Sequence, residues 1–153
     1  MKILLIGLGS IGQRHLRNLY KINPKFKFIA VRKKFKVPIL TNNLQISKNK
    51  KNLKEKYNIN YYKNIDSALK INPSFAIICS PTSFHLKETI KCLRKNINVF
   101  IEKPLSHNNK RIQELKKLLI KKNKVITMMG YQTRFNPLYI YLKKYLVKNN
   151  LGK

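Results

Sequence analysis

An α/β fold built on a doubly wound parallel sheet follows from three observations on this sequence. Short apolar runs rich in β-branched residues alternate with longer stretches of helical periodicity along the whole chain. The first run enters three glycines, Gly7, Gly9 and Gly12, spaced G-x-G-x-x-G, and a helix-like stretch follows. The polar residues that look placed for chemistry fall at the ends of the apolar runs, which in a parallel sheet form one rim.

Each element has its own justification. Ile3 to Ile6 is short and continuously apolar, as a strand buried on both faces must be. From Ile11 to Tyr20 the residues Ile11, Leu16, Leu19 and Tyr20 recur at helical spacing among polar ones, which predicts an amphipathic helix. Phe26 to Val31 reads as a second strand, closed by Arg32, Lys33 and Lys34. Residues 36–56 carry little signal beyond a lysine-rich stretch, Lys48 to Lys56, with weak helical character. A short strand is expected at Ile59 to Tyr62 and a helix at Asp66 to Lys70, capped by Asn64 or Asp66. Ser74 to Cys79 reads as a strand ending at Ser80, Pro81 and Thr82, and Ser83 to Lys95 as a helix with Leu86, Ile90 and Leu93 on its inner face. Asn98 to Ile101 is the next strand, stopping at Glu102, Lys103 and Pro104. A helix is expected from Asn108 to Lys122, a last strand from Val125 to Met129, and a final helix to about Lys148.

The glycines suit a diphosphate for separable reasons. Gly7 permits a tight turn, Gly9 lets backbone N–H groups of Ser10 and Ile11 approach the ligand, and Gly12 lets the helix pack closely on the strand. A diphosphate would rest on the helix N-terminus, where unpaired N–H groups and the positive dipole end favour an anion. Arg32 falls ~20 residues beyond Gly12, where this kind of fold meets the adenosine ribose. A carboxylate there would bind the 2′-OH of NAD; Arg32 and Lys33 tip the expectation toward the 2′-phosphate of NADP, with ordinary solvated charge as the alternative.

Composition narrows the classes. A chain of 153 residues with 43% hydrophobic residues supports about one domain with a real core. No apolar run reaches the ~18 residues of a membrane span, so a cytoplasmic protein is expected. Cys79 and Cys92 show no metal spacing and read as buried reduced thiols, and no metal site is expected. The 34 Lys and Arg against 5 Asp and Glu give +29, a balance that normally suggests nucleic acid. Here the basic residues are spread along the whole length beside abundant Asn and Ile, as in proteins from AT-rich genes. No helix-turn-helix, zinc-finger, RRM or KH signature is present, so compositional drift is preferred to a nucleic-acid partner.

Four segments in order carry a family resemblance: Gly7 to Gly12 with His15; Cys79-Ser80-Pro81-Thr82 with His85; Glu102-Lys103-Pro104-Leu105-Ser106; and Gly130 to Pro137. Together they resemble the N-terminal Rossmann domain of the Gfo/Idh/MocA family of NAD(P)-dependent oxidoreductases. The resemblance implies a cofactor groove lined by Gly7, Gly9, Ser10, Ile11, Gly12, Arg32, Lys33, Ser80, Pro81, Thr82, His85, Glu102 and Lys103. It implies Lys103 as the catalytic cation, close to the nicotinamide and the reacting hydroxyl of a sugar-like or polyol substrate. Glu102 and Pro104 would shape that strand end, and His15 and His85 are expected to bond to backbone near the groove rather than to transfer protons.

Family members continue into a second, mostly antiparallel domain that supplies an acid–base partner, whereas the tail Leu138 to Lys153 holds no Asp, Glu or His. The expected division is a dinucleotide-binding domain at 1–136 and, at 137–153, a helix that would lead into an absent C-terminal domain. The chain is therefore expected to be incomplete as an enzyme alone, working with a separately encoded C-terminal domain or as a homo-oligomer. The alternative is a non-catalytic dinucleotide-binding or partner-binding module. Leu138, Tyr141, Leu142 and Tyr145 would then form an exposed patch.

Overall fold

The computed structural model describes residues 1–32, 38–41, 43, 45–47 and 52–149. Parallel strands β1 (Lys2–Ile6), β2 (Lys27–Val31), β3 (Asn60–Tyr62), β4 (Phe75–Ile78), β5 (Asn98–Ile101) and β6 (Thr127–Met129) form one sheet in the order β3-β2-β1-β4-β5-β6. The order reverses beside β1, so the chain winds outward in both directions from that strand. Leu4 of β1 pairs with Ile29 on one side and Ala76 on the other, which fixes the register at the centre.

Side-chain alternation along the central strands assigns the two faces. Leu4, Ile6, Ala76, Ile78, Val99 and Ile101 point to one face and pack under α3 (Ile65–Leu69), α4 (Thr82–Arg94) and α5 (Ile112–Lys121). Ile3, Leu5, Phe28, Ala30 and Ile77 point to the other and meet Leu16 of α1 (Ser10–Ile22) with Leu53 and Tyr57 of α2 (Leu53–Tyr57). A sheet covered on both faces must be apolar at every position, which is why its strands read as unbroken hydrophobic runs.

Local chemistry sets the element ends. Asn64 caps α3 by accepting from the Ser67 amide, and α2 opens with a capping box in which Asn52 and Glu55 exchange bonds. The expected helix start at Asn108 is corrected to Ile112. Ser106 and Asn108 accept from the amides of Asn108 and Lys110, turn bonds that compete with helix, and Arg111 takes a left-handed φ of 66°. The last strand begins at Thr127 rather than Val125, whose amide bonds back to Lys122. Of the weak stretch Lys48 to Lys56, the described helix begins at Leu53; residues 48–51 lie outside the described ones.

Asn136 caps α6 (Pro137–Lys148), whose first residue is proline, a position that needs no N–H. No residue of α6 is buried. Leu138, Tyr141, Leu142 and Tyr145 are exposed as expected, and so are Tyr139, Ile140, Leu146 and Val147. No described helix is long and apolar enough to cross a membrane.

The two-faced core predicts a position-dependent cost of truncation. Ile90 of α4 is fully buried, so Ile90→Ala should lower the unfolding free energy by about 2–5 kcal/mol in urea titrations. Ile120 on α5 is 79% exposed, and Ile120→Ala should stay within about 0.5 kcal/mol of the parent.

Candidate functional site

The rim formed by the carboxyl ends of the strands is organised around the bend between β1 and α1. Gly7 has a φ of 100°, a left-handed conformation that side chains resist. An added Cβ there would lie 2.5 Å from the Cys79 carbonyl oxygen and 2.7 Å from the Ser80 nitrogen. A Cβ on Gly12 would lie 2.2 Å from the Gly7 carbonyl oxygen. Backbone therefore packs on backbone where α1, β1 and the end of β4 meet.

Gly9 is the opposite case. A Cβ built there meets nothing within 4 Å, and the residue is the N-cap of α1 with no side-chain cap. The first helical bond runs from the Gln13 amide to the Gly9 carbonyl at 2.9 Å, so the N–H groups of Ser10, Ile11 and Gly12 receive no partner from their own helix. The first turn of α1 has no acidic residue. Open space, uncommitted amides and the positive end of a helix dipole make a seat for an anion such as a diphosphate.

The other candidate residues gather on the same edge. Arg32 follows β2, its amide bonded to the Tyr62 carbonyl at 2.8 Å, and its charge pulls down the Tyr61 phenol, which burial pushes up. Lys33 lies outside the described residues. Ser80 and Pro81 lie in the turn after β4, and Thr82 opens α4. Glu102 follows β5, its amide bonded to the Ile78 carbonyl at 3.0 Å, and Lys103 beyond it is exposed.

Three further side chains are fastened into this edge. His85 is only 2% exposed, and its Nε2 and Nδ1 lie 2.7 Å and 2.9 Å from the carbonyl oxygens of Ser80 and Pro104. Both ring nitrogens face backbone carbonyl oxygens, in keeping with the backbone bonding expected of this residue. The ring ties the β4 turn to the segment carrying Lys103. His15 does not bond to backbone; its Nε2 lies 2.6 Å from Glu102 Oε1, and its ring stands edge-on to Phe100 at 5.2 Å. Glu102 is thus engaged from α1 through one oxygen, and its other oxygen would lie 3.4 Å from a Cβ on Gly130.

Two residues here escaped the sequence reading. Gln13 is 1% exposed; its amide donates to the Leu8 and Pro38 carbonyls and its oxygen accepts from the Leu40 amide, fastening the segment after β2 to α1. The available signal was a polar residue one position beyond the glycine motif. Glu88 on α4 accepts a short hydrogen bond from the Ser80 hydroxyl. Burial pushes its carboxyl up to about 7, against the pull of the Ser80 bond and of His85, Lys87 and Lys91. Burial also raises the Cys79 and Cys92 thiols to about 12, assisted by Glu88 at both and by Glu102 at Cys79, so neither is a nucleophile near neutral pH.

Comparison with known proteins accords with this geometry. The profile of the Gfo/Idh/MocA oxidoreductases, an oxidoreductase family with an NAD-binding Rossmann fold, matches residues 1–131. The chain is 29% identical to the myo-inositol 2-dehydrogenase of Thermotoga maritima and 26% identical to the scyllo-inositol 2-dehydrogenase (NAD(+)) of Bacillus subtilis. All of this chain is aligned in both cases, and it spans 42% of the length of each relative. Among solved structures, the myo-inositol 2-dehydrogenase of Lactobacillus plantarum superposes with a TM-score of 0.79 at 27% identity, over the whole chain and 42% of that protein. The scyllo-inositol dehydrogenase of Lactobacillus casei, solved with NAD(H) and scyllo-inositol, shares the fold with a TM-score of 0.79 at 21% identity, again over the whole chain and 42% of that protein.

Glu88 makes a pH-dependent prediction. Its carboxyl stays neutral to higher pH in the fold than in the unfolded chain, so its favourable contribution is complete below the usual carboxylate range and is lost as pH rises toward about 7. Glu88→Gln should therefore raise the thermal midpoint by a few degrees at pH 8 and leave it unchanged near pH 4.5, as read by circular dichroism.

Proposed function

This chain belongs to the Gfo/Idh/MocA oxidoreductase family, and we propose that it is the coenzyme-binding part of a dehydrogenase acting on a sugar-like or polyol hydroxyl. The observation that carries the proposal is the open space at Gly9, framed by a bend too tight for any side chain at Gly7 or Gly12. The named activities of the relatives, oxidation of inositols, supply the substrate class.

In this reading the residues divide the work. The amides of Ser10 and Ile11 hold the diphosphate at the N-terminus of α1. Ser80, Pro81 and Thr82 line the groove across the switch between β1 and β4, where ligands of such sheets bind. Arg32, at the end of β2, faces the adenosine ribose and favours the 2′-phosphate of NADP over the bare hydroxyl of NAD. The bound nicotinamide supplies hydride chemistry.

Lys103 places a cation beside the reacting hydroxyl, where positive charge stabilises developing alkoxide. The His15 and Glu102 pair and the His85 bridge hold its segment against α1 and β4. The substrate pocket and the acid–base partner belong to a second domain or to a partner subunit, for which α6 and its apolar side chains provide the contact. The reading places the protein in the cytoplasm, where the free thiols of Cys79 and Cys92 stay reduced.

Fluorescence titration of the full chain with NADH and NADPH tests this. The parent should bind. Gly9→Val should stay folded, because nothing lies within 4 Å of the new Cβ, yet lose binding at least 100-fold as that side chain fills the seat. Unchanged affinity in a folded Gly9→Val would overturn the proposal. Arg32→Ala should weaken NADPH about tenfold, the scale of one charge-assisted hydrogen bond, with little effect on NADH. An equal effect on both coenzymes would remove the NADP preference.

A further inference from the structure

Glu88 is linked to the bend that carries the anion seat through a short chain of contacts. The bend at Gly7 abuts the backbone of Ser80, whose nitrogen would be 2.7 Å from a Cβ on Gly7. The Ser80 hydroxyl donates to Glu88, and the Ser80 carbonyl is held by His85. We propose that Glu88 is a positioning residue that sets, through Ser80, the donor direction and the charge behind the diphosphate seat, so that coenzyme binding takes up a proton at this carboxyl. The proposal rests on the coenzyme-binding reading given above.

The chemistry follows from donor counting. An ionised Glu88 can only accept, so the Ser80 hydroxyl must spend its proton on it and can offer the groove lone pairs alone. A neutral Glu88 carries its own O–H, which can bond to Ser80 Oγ and release the serine proton toward an acceptor oxygen of the coenzyme. Protonation also removes a negative charge from behind a site meant for an anion. Both effects favour the neutral carboxyl in the bound state, and no covalent step is involved.

The surroundings of Glu88 permit this titration near neutrality. On α4 it is faced by His85, Lys87, Lys91 and Cys92, and at the end of β4 by Ser80 and Cys79. Lys91 is itself drawn to Asp66 of α3 at 2.6 Å, and Glu102 acts on Cys79 from the β5 side. Burial outweighs the nearby cations and holds the carboxyl at about 7.

The test is NADH affinity of the full chain between pH 6 and pH 8.5, since NADH lacks a 2′-phosphate that would titrate in this range. The parent should bind several-fold more weakly at pH 8.5 than at pH 6, and Glu88→Gln should flatten that dependence while still binding. Ser80→Ala provides a second variant: loss of the hydroxyl removes a bond that lowers the carboxyl's pKa, so the midpoint of the dependence should move to higher pH. The same dependence in the parent and in both variants would overturn this inference alone. Absence of NADH binding at every pH, in the parent, would overturn the coenzyme reading and this inference with it.

Discussion

The structure depends on a backbone-to-backbone contact at the carboxyl end of β1. Gly7 turns the chain against the Cys79 carbonyl and the Ser80 nitrogen, and Gly12 brings α1 against the Gly7 carbonyl. The Cys79 amide continues the β1–β4 ladder to the Ile6 carbonyl at 2.8 Å, so the two central strands end together beneath the bend. Because α1 approaches so closely, its N-terminal amides open directly over the point where the sheet reverses direction. Widening the contact by one methyl group would move helix, bend and β4 turn apart, and with them the seat at Gly9.

The rest of the rim is fastened to this contact by the few acids and histidines of a chain that carries +29. All five carboxylates have partners: Glu55 in the α2 capping box, Asp66 with Lys91, Glu88 with Ser80, Glu102 with His15, and Glu114 with Arg94 and Arg111. Three of these sit on outer helices, where such pairs contribute little individually. The two at the rim are half-buried or buried and join different elements, α4 to the β4 turn and α1 to the β5 end. Positive charge is plentiful everywhere in this protein, so the informative charges are the negative ones.

Much of this was legible in the sequence because burial on both faces of a sheet leaves an unmistakable mark. The runs at Ile3, Phe28, Ala76 and Val99 could be nothing else once helical stretches separated them, and the glycine spacing located the bend. Asn64 was readable as a cap because its side chain acts locally. The start of α5 was not, since the competing turn bonds of Ser106 and Asn108 resemble helical capping residues in sequence. Glu88 and Gln13 were missed for a different reason: each sits at a polar-looking helix position whose partner, Ser80 or the Pro38–Leu40 segment, is brought near only by folding. His15 was read as a backbone ligand because nothing in the sequence reveals that α1 delivers it to Glu102, 87 residues away.

The central claim is that the bend at Gly7 to Gly12 seats a diphosphate on the amides of α1. A crystal structure of the chain grown with NADH measures this directly. The account predicts diphosphate oxygens within hydrogen-bond distance of the Ser10 and Ile11 nitrogens, beside an open Gly9. A dinucleotide bound elsewhere, or a bend closed over by its own side chains, would contradict it.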